Sequence, residues 1–306
     1  MDHDKPLISV VIPVYNAEHY ILKALRSVCE QTYQNLQIIV IDDGSTDHSK
    51  EVIESVHDPR IELISRENRG LIATLNEGVQ RSDGEYIARM DADDICFPDR
   101  FARQQLYFEA HAGFGVLFTG LEYIDASGKV MRKKVAHENR EIKPVELLFG
   151  CPVCHPTAMF NMNVLAKPDI RYDSEFDKTE DFELWTRLAS KTKIGILSEV
   201  LFQYRIHSES ITSKNNAEQR ETALKAIMKN LSHLDSEKVT RAIGTLYNNH
   251  QGQYSALTTL LAALRLFFQL SRINRTFSHY KFLTKSYYVL REQFSKKDGK
   301  TLRDNV

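Results

Sequence analysis

Short apolar segments alternate with amphipathic helical segments along the N-terminal third of the chain, and this alternation limits the possible folds more than any other feature. The apolar segments are rich in β-branched residues, as in strands that are buried on both faces. They lie at residues 7–14, 36–41, 61–64 and 85–90. Segments with helical spacing separate them, at residues 17–31, 45–56 and 71–80. Short connections between alternating strands and helices imply right-handed crossovers, so the pattern predicts an α/β domain with a mostly parallel central sheet flanked by helices.

The alternation becomes less regular after Pro98, and its character changes again further along. We predict helices at 101–110 and 181–190 and strands at 115–123 and 200–206. From about Asn215 strand signals are few and long helical patterns continue to the end. The sequence thus predicts an α/β domain at 1–214, with halves at about 1–97 and 98–214, and a helical C-terminal region at 215–306.

Composition excludes several classes of protein. The 40 Lys and Arg residues balance 41 Asp and Glu, and 42% of the residues are hydrophobic. A disordered chain would lack that apolar content, and the 13 Gly and 8 Pro follow no fibrous period. No apolar run approaches the roughly 20 residues of a membrane span. The first residues show no signal-peptide pattern, and the four cysteines form no disulfide framework, so we expect a cytoplasmic protein with reduced thiols.

Five carboxylates follow two of the predicted strands directly. Asp42 and Asp43 end the second strand, and Asp91, Asp93 and Asp94 follow the fourth. Ligands of open α/β sheets bind at the carboxyl ends of the strands, where these side chains converge. Like charges at close range are unfavourable, and oxygen ligands favour Mg²⁺ or Mn²⁺. Each motif alone also fits a turn or a helix cap, but their joint placement predicts a divalent cation site.

Glycine-rich phosphate loops are missing, both G-x-G-x-x-G and G-x-x-x-x-G-K-[ST]. A nucleotide at this edge of the sheet would therefore not bind on a glycine cradle. We expect its diphosphate to be held through the cation, and its base to contact Tyr15 and a carboxylate.

Taken in order, these segments resemble family 2 glycosyltransferases of the GT-A fold, of the bacterial surface-polysaccharide type. The resemblance spans about residues 7–212. The matching segments are IPVYNA at 12–17, SVCEQT at 27–32, VIDDGSTD at 40–47, NRG at 68–70, GEYIA at 84–88, DADD at 91–94, ED at 180–181 and W-x-R at 185–187.

The resemblance implies an inverting glycosyltransferase that uses a UDP-sugar donor and Mn²⁺ or Mg²⁺. Residues 1–97 would then bind the nucleotide, and residues 98–214 the acceptor. Asp93 would ligate the metal, and Asp91 would reach the ribose or the metal. The other donor-binding residues implied are Pro13, Val14, Tyr15, Asp42, Asp43 and Ala92, with Arg66 or Arg69 at the base or diphosphate; the sequence does not choose between the two arginines.

Transfer by direct displacement needs a base for the acceptor hydroxyl. The resemblance implies that Asp181, at the start of a helix, is that base, with Glu180 as the reserve candidate or an acceptor-binding residue. His155 and Trp185 would line the acceptor site. His207, in a Y-R-x-H element, would ligate the metal or contact the diphosphate. Acidic residues also simply favour helix N-termini, and a loop histidine is as often structural, so these roles are expectations.

The C-terminal segment at 261–300 carries nine Lys and Arg residues against two Asp and Glu, with interleaved aromatic residues. This pattern fits contact with a membrane surface, a cap on the preceding domain or an oligomer interface, and the sequence leaves all three open. Peripheral association with the inner face of the cytoplasmic membrane would suit a polyprenyl-diphosphate-linked acceptor, and we expect no nucleic-acid partner. The alternative functions are a non-catalytic nucleotide-sugar-binding module and a D-x-D phosphotransferase.

Overall fold

A computed structural model describes residues 5–147, 150–207 and 216–230, together with residues 258, 261, 262 and 264. The chain forms two compact units. The first comprises residues 1–142, 153–184 and 191–214, and the second comprises residues 143–152, 185–190 and 215–306. The predicted α/β class is confirmed.

The first unit is built on one ten-stranded mixed sheet. Its strands are β1 (Ile8–Val14), β2 (Leu36–Asp42), β3 (Ile61–Ser65), β4 (Tyr86–Arg89), β5 (Ile95–Cys96), β6 (Phe114–Ile124), β7 (Val130–Lys134), β8 (Arg140–Ile142), β9 (Met159–Asn161) and β10 (Lys193–Arg205). The order along the sheet is β3-β2-β1-β4-β9-β6-β10-β5, with β7 paired to β6 and β8 paired to β10. The first four strands are parallel, as the alternation predicts.

Four of the described helices flank the sheet: α1 (Ile21–Cys29), α2 (Ser49–Glu54), α3 (Leu71–Arg81) and α4 (Arg100–Ala110). The other described α-helices are α5 (Pro144–Leu147), α6 (Glu180–Leu188) and α7 (Asn216–Asn230). Every residue of β1 is buried. On α1 the buried residues recur at i, i+3, i+4 and i+7, the stripe of a helix that packs on a sheet. A Cβ on Gly78 would come within 2.3 Å of a methyl carbon of Val11, so α3 approaches β1 more closely than a larger residue allows.

The structure differs from the predicted elements in three respects. The sequence did not reveal β5, β7, β8 and β9, which are short, and the last strand begins at Lys193 rather than at residue 200. Helix α1 begins at Ile21 after a turn rather than at residue 17, so Asn16 does not cap it. Asn16 instead has a positive φ of 49°, and its side-chain oxygen accepts from the Thr46 amide at 2.8 Å.

The second unit contains α5, the residues from Trp185 to Ser190 and α7. Within it, the Asn230 side-chain amide donates to the Thr186 hydroxyl at 2.9 Å, and Ala226 and Ile227 of α7 are buried. The remaining helices predicted for the C-terminal region, including almost all of the basic segment at 261–300, lie outside the described residues. No helix among the described residues is long and apolar enough to cross a membrane.

Candidate active site

The carboxyl ends of β1, β2 and β4 lie side by side at one edge of the sheet. Val14 is in register with Asp42 across the β1–β2 pair, and Val11 is in register with Arg89 across the β1–β4 pair. Parallel pairing therefore brings the loops after these strands together, as the motif spacing predicted. Two acidic loops meet here, and they differ in how their charges are balanced.

The first acidic loop, at residues 42–45, has its carboxylates satisfied within the protein. Asp42 is buried and accepts from the Ser45 amide at 3.0 Å and from the Ser65 hydroxyl at 2.8 Å. Asp43 is also buried and accepts from the backbone amides of Arg69 at 2.8 Å and Gly70 at 2.9 Å. Asp42 thus holds the turn together, and Asp43 ties this loop to the start of α3.

The two arginines that the sequence could not separate have different surroundings. The guanidinium of Arg66 forms an ion pair with Asp43 and donates to Glu77 and to the Thr74 hydroxyl, at 2.8 and 2.9 Å. Arg69 is exposed, and its guanidinium has no hydrogen-bond or ion-pair partner among the described residues. The Arg66 guanidinium is therefore paired with Asp43, whereas the Arg69 guanidinium is available to bind a ligand.

The end of β1 presents an aromatic ring to solvent. Val14 is buried, and its carbonyl accepts from the Asp43 amide at 2.8 Å. Pro13 is in register with Ile41 inside the sheet. Tyr15, the next residue, is 54% exposed, which is unusual for a large aromatic side chain next to a buried strand. The ring is accessible to a planar partner.

In the second acidic loop, at residues 91–94, Asp91 is held by a buried arginine. The two terminal guanidinium nitrogens of Arg89 lie 2.6 and 2.5 Å from the two carboxylate oxygens of Asp91. Burial raises the pKa of Asp91; Arg89 opposes this shift, and the charges of Asp93 and Asp181 reinforce it. Ala92, between the two acids of the motif, is buried.

Asp93 forms hydrogen bonds with the last strand, β10, and with the loop that follows it. Its carboxylate lies 2.8 Å from the Nε2 atom of His207, and its carbonyl accepts from the Arg205 guanidinium at 2.7 Å. The ring of His207 packs against Tyr20 at a centroid distance of 5.2 Å. The structure thus brings His207, 114 residues away in sequence, to the acidic motif.

Asp94 lies at the back of this loop and is almost fully buried. Its Oδ1 atom accepts from the Arg205 amide at 2.7 Å, while its Oδ2 atom has no hydrogen-bond partner among the described residues. Burial, together with the charges of Asp93 and Asp91, raises the pKa of Asp94 well above its usual range. A buried acceptor without a donor, next to like charges, is unfavourable in the absence of a cation.

Asp91, Asp93 and Asp94 each place a carboxylate oxygen within 4.8 Å of the others. An all-oxygen set of this size, with an orphaned buried oxygen, fits a divalent cation such as Mg²⁺ or Mn²⁺. His207 contacts one member of this set, Asp93. Sequence reasoning placed Asp94 at the strand end but did not assign it as a ligand, and its burial could not be read from the motif.

The N-terminus of α6 carries the two acids predicted as base candidates. The charge of Asp181 contributes to the raised pKa values of both Asp91 and Glu180, so Asp181 lies near the second acidic loop. Glu180 is buried, and desolvation, followed by the charge of Asp181, raises its pKa to about 7. A carboxylate at the start of this helix also faces the positive end of the helix dipole.

His155 and Trp185 are both buried. The Nε2 atom of His155 lies 2.7 Å from the Tyr172 hydroxyl, and burial, with the charge of Arg89, holds the pKa of His155 well below its usual range. The side-chain amide of Asn76 accepts from the Tyr172 backbone N–H at 2.8 Å and donates to the Tyr172 carbonyl at 2.9 Å. The lowered pKa favours the neutral form of His155, and the hydrogen bond to Tyr172 holds its ring in place. Trp185 belongs to the second unit.

Sequence reasoning missed two side chains that organise the site, Arg89 and Tyr172. Arg89 and Arg205 hold the second acidic loop from two sides, and Tyr172 holds His155. The only available signal for Arg89 was an arginine inside an apolar strand, which requires a buried acidic partner.

The model of the family described as "Glycosyl transferase family 2" matches residues 9–167. A relative named an uncharacterized glycosyltransferase, from Haemophilus influenzae, is 32% identical over 242 residues, which cover 74% of each chain. The putative glycosyltransferase EpsE of Bacillus subtilis is 30% identical over 216 residues, 69% of this chain and 77% of that protein.

Solved structures share the fold at low sequence identity. S. aureus TarS 1–349, in complex with UDP-GlcNAc, superposes with a TM-score of 0.65 at 18% identity and covers 98% of this chain and 94% of its own. The mannosyltransferase PcManGT of Pyrobaculum calidifontis, in complex with GDP-Man and Mn²⁺, gives a TM-score of 0.56 at 14% identity, with coverage of 97% and 88%. The expected GT-A fold is confirmed. Because the family model matches more than half of the chain and its relatives are named as glycosyltransferases, the chain belongs to glycosyl transferase family 2 and is a glycosyltransferase.

Proposed function

We propose that this glycosyltransferase transfers a sugar from a UDP-sugar to an acceptor hydroxyl with inversion, in a metal-dependent reaction of polysaccharide synthesis. The observation that carries the proposal is the meeting of two groups at one sheet edge. One is the carboxylate cluster of Asp91, Asp93 and Asp94, and the other is the start of α6, whose Asp181 acts on the pKa of Asp91. A diphosphate leaving group and a base need to lie on opposite sides of one sugar carbon, and this arrangement supports that geometry.

The donor nucleotide would bind at the first acidic loop. The Oδ2 atom of Asp43 accepts one backbone bond, so it retains capacity for a base N–H, and the exposed ring of Tyr15 offers a stacking surface. Pro13, Val14 and the buried Asp42 shape the floor of this subsite. Arg69 would contact the diphosphate, while Arg66 keeps Asp43 in place. The fold neighbours TarS and PcManGT are in complex with UDP-GlcNAc and GDP-Man, which supports a nucleotide-sugar donor.

Asp93, Asp94 and His207 would hold a divalent cation, with Asp91 and Ala92 beside it. Asp91 is already gripped through both oxygens by Arg89, so it has less capacity for direct coordination than Asp93 or Asp94. Once bound, the cation would supply neutralisation of the charge that develops on the departing diphosphate. PcManGT is in complex with Mn²⁺, which supports Mn²⁺ or Mg²⁺.

Asp181 would accept the proton of the acceptor hydroxyl as its oxygen attacks the anomeric carbon. The bond from that carbon to the diphosphate oxygen breaks in the same step, and the nucleoside diphosphate leaves. Glu180, with a pKa of about 7, is the second candidate for the base and otherwise would hydrogen-bond acceptor hydroxyls. His155 would line the proposed acceptor subsite.

The acceptor in this proposal is a growing saccharide or a polyprenyl-diphosphate-linked one. The enzyme would then act in the cytoplasm, in peripheral contact with the inner face of the cytoplasmic membrane. Residues 1–97 would serve the nucleotide and residues 98–214 the acceptor.

A thermal-shift panel of nucleotide sugars, with and without Mn²⁺, tests the donor assignment, because a ligand that binds the native state raises its apparent stability. We expect stabilisation by a UDP-sugar that requires Mn²⁺ and is lost in Asp93→Ala. Equal stabilisation of Asp93→Ala would contradict the cation site, and stabilisation only by other nucleotides would contradict the UDP donor.

The base is tested with two isosteric variants, Asp181→Asn and Glu180→Gln. Asp181→Asn is expected to keep the donor-induced thermal shift and to lose transfer, whereas Glu180→Gln should retain measurable transfer. The reverse result would assign the base role to Glu180.

A further inference from the structure

The hairpin of β6 and β7 ends in a strongly basic strand. Residues 129–135, which we name the basic hairpin segment, read KVMRKKV and contain four cationic side chains and no carboxylate. Every residue from Lys129 to Lys133 is exposed. Among the described residues β7 pairs only with β6, so the strand is an edge of the sheet.

The same segment exposes large apolar side chains. Val130, Met131 and Val135 are 45%, 60% and 51% exposed, and they are three of the nine large apolar side chains that are exposed among the described residues. Met131 falls at the register shift between the Ile124–Val130 and Tyr123–Arg132 pairs and has no partner in the ladder. Charge on an edge strand commonly prevents aggregation, but exposed Met and Val side chains work against that purpose.

The cations of the segment are only partly balanced from within the protein. Arg132 lies over the ring of Tyr123 at 4.5 Å, and the Lys133 ammonium lies 3.6 Å from the carboxylate of Glu122. The ammonium groups of Lys129 and Lys134 have no ion-pair partner among the described residues. The segment therefore presents a net positive, partly apolar surface.

The hairpin turn is fixed and lies next to the second acidic loop. The Asp125 carboxylate accepts from the amides of Ser127 and Lys129, at 2.9 and 3.0 Å. The guanidinium of Arg205 donates both to the Asp125 carbonyl, at 3.0 Å, and to the Asp93 carbonyl, at 2.7 Å. A single side chain thus links the hairpin to the proposed cation site, and little ordering entropy would be lost on docking.

The geometry points to the basic hairpin segment as a docking surface for an anionic lipid bilayer. Cationic side chains are attracted to anionic headgroups, and interleaved apolar side chains gain free energy by entering the headgroup region. Both features are present in one edge strand, and a lipid interface uses both. Docking through this edge would bring the second acidic loop close to the membrane. The inference does not depend on the donor, the base or the acceptor.

Vesicle co-sedimentation of the full chain tests the inference, with no nucleotide sugar present. The probes are vesicles of phosphatidylcholine and phosphatidylglycerol in equal parts, and vesicles of pure phosphatidylcholine. Lys129→Glu/Lys134→Glu should weaken binding to the anionic vesicles at least about tenfold, since each Lys near such a surface contributes on the order of 1 kcal/mol. Met131→Ser/Val135→Ser should weaken it about threefold, because less apolar area enters the headgroup region.

Matched controls separate local from general effects. Lys23→Glu/Lys50→Glu changes the net charge by the same amount on another surface, and Leu106→Ser/Val164→Ser removes exposed apolar side chains elsewhere. Both controls should bind like the wild type, and circular dichroism of each variant checks that it is folded.

Three results would overturn the inference: no preference of the wild type for anionic vesicles, wild-type binding by the charge-reversed hairpin, or an equal loss in the Lys23/Lys50 control. Loss of binding to poly-glutamate with unchanged vesicle binding would assign the surface to an acidic polymer instead. A failed donor panel would leave all of these results interpretable, since no donor is used.

Discussion

The two acidic loops at the sheet edge carry similar residues and have opposite electrostatic surroundings. In the loop at 42–45, serines and backbone amides satisfy Asp42, and Arg66 and backbone amides satisfy Asp43. In the loop at 91–94, Arg89 balances only Asp91, while Asp94 keeps a buried oxygen without a donor and has a strongly raised pKa. The carboxylates of the first loop thus find their hydrogen-bond and charge partners within the protein, whereas those of the second loop do so only in part.

In the proposed function, this difference gives the two similar acidic motifs different tasks. A carboxylate that is already held by fixed donors has one acceptor position left and suits the recognition of a base. Crowded carboxylates with unsatisfied oxygens suit a cation, because only an added positive charge lowers their energy. Four predictions test this contrast.

The largest effect is expected for Asp93→Ala. Removal of this carboxylate should lower kcat/KM by about a thousandfold, comparable to the loss of a principal electrostatic group in an active site. Steady-state transfer assays at several Mn²⁺ concentrations measure it. Asp83→Ala, at an acid before β4, is the matched control and should stay near wild-type activity. Full activity of Asp93→Ala would remove the proposed cation from the mechanism.

A large effect on stability, rather than on activity, is expected for Asp43→Asn. The change removes one of the two carboxylates that pair with the Arg66 guanidinium, which should lower the free energy of unfolding by about 2 kcal/mol. Denaturant titration in the absence of metal measures it. The isosteric control is Asp94→Asn, which removes a carboxyl from crowded acids and should leave the metal-free protein equally or more stable. Equal destabilisation by both substitutions would contradict the contrast between the loops.

A moderate effect should separate the two arginines. Arg69→Ala is expected to raise KM for the donor about tenfold, the loss of one hydrogen bond to a charged group, with unchanged stability. Arg66→Ala should instead lower the unfolding free energy, because Asp43 and Glu77 both lose their buried cation. Donor KM and thermal midpoints are measured for both variants. Destabilisation by Arg69→Ala would show that its side chain is structural.

The last prediction concerns the pH dependence of stability. The pKa of Glu180 is raised to about 7 in the folded protein, so its protonated form is favoured by folding. Its stabilising contribution is present below the unfolded pKa of about 4.3 and is lost as the pH rises through 7. Glu180→Gln should therefore reduce the slope of the unfolding free energy against pH between pH 5 and 7 in the metal-free protein. The reduction should correspond to up to about one proton bound on folding. An unchanged slope would show that Glu180 ionises normally.

The parallel half of the sheet follows from sequence because its signals are local. The four apolar segments, the helical stripes between them and the acidic residues at the strand ends all recur at short spacing, and all four strands were placed within about two residues. The short strands β5 and β9 were missed because a few residues carry too little periodicity, and their pairing depends on neighbours that are distant in the chain.

The candidate site was also only partly predictable from local sequence. Asp42, Asp43, Asp91 and Asp93 could be selected from motifs, and the resemblance added Asp181 and His207. The choice between Arg66 and Arg69 could not be made, because both precede the same helix and differ only in what their guanidinium groups touch. The role of Asp94 was hidden for the same reason, since burial depends on the packing of β10 across the loop.

The sequence by itself determined the fold class, the family and the acidic character of the strand ends, because these depend on local periodicity and on residue identity at fixed spacing. Only the tertiary structure decided which carboxylates are satisfied and which are left crowded. That distinction depends on donors brought from 23 to 111 residues away, such as Arg66 for Asp43 and the Arg205 amide for Asp94, and on the burial that raises the pKa of Asp94. Local sequence specifies the charges of this protein, and long-range packing specifies their partners.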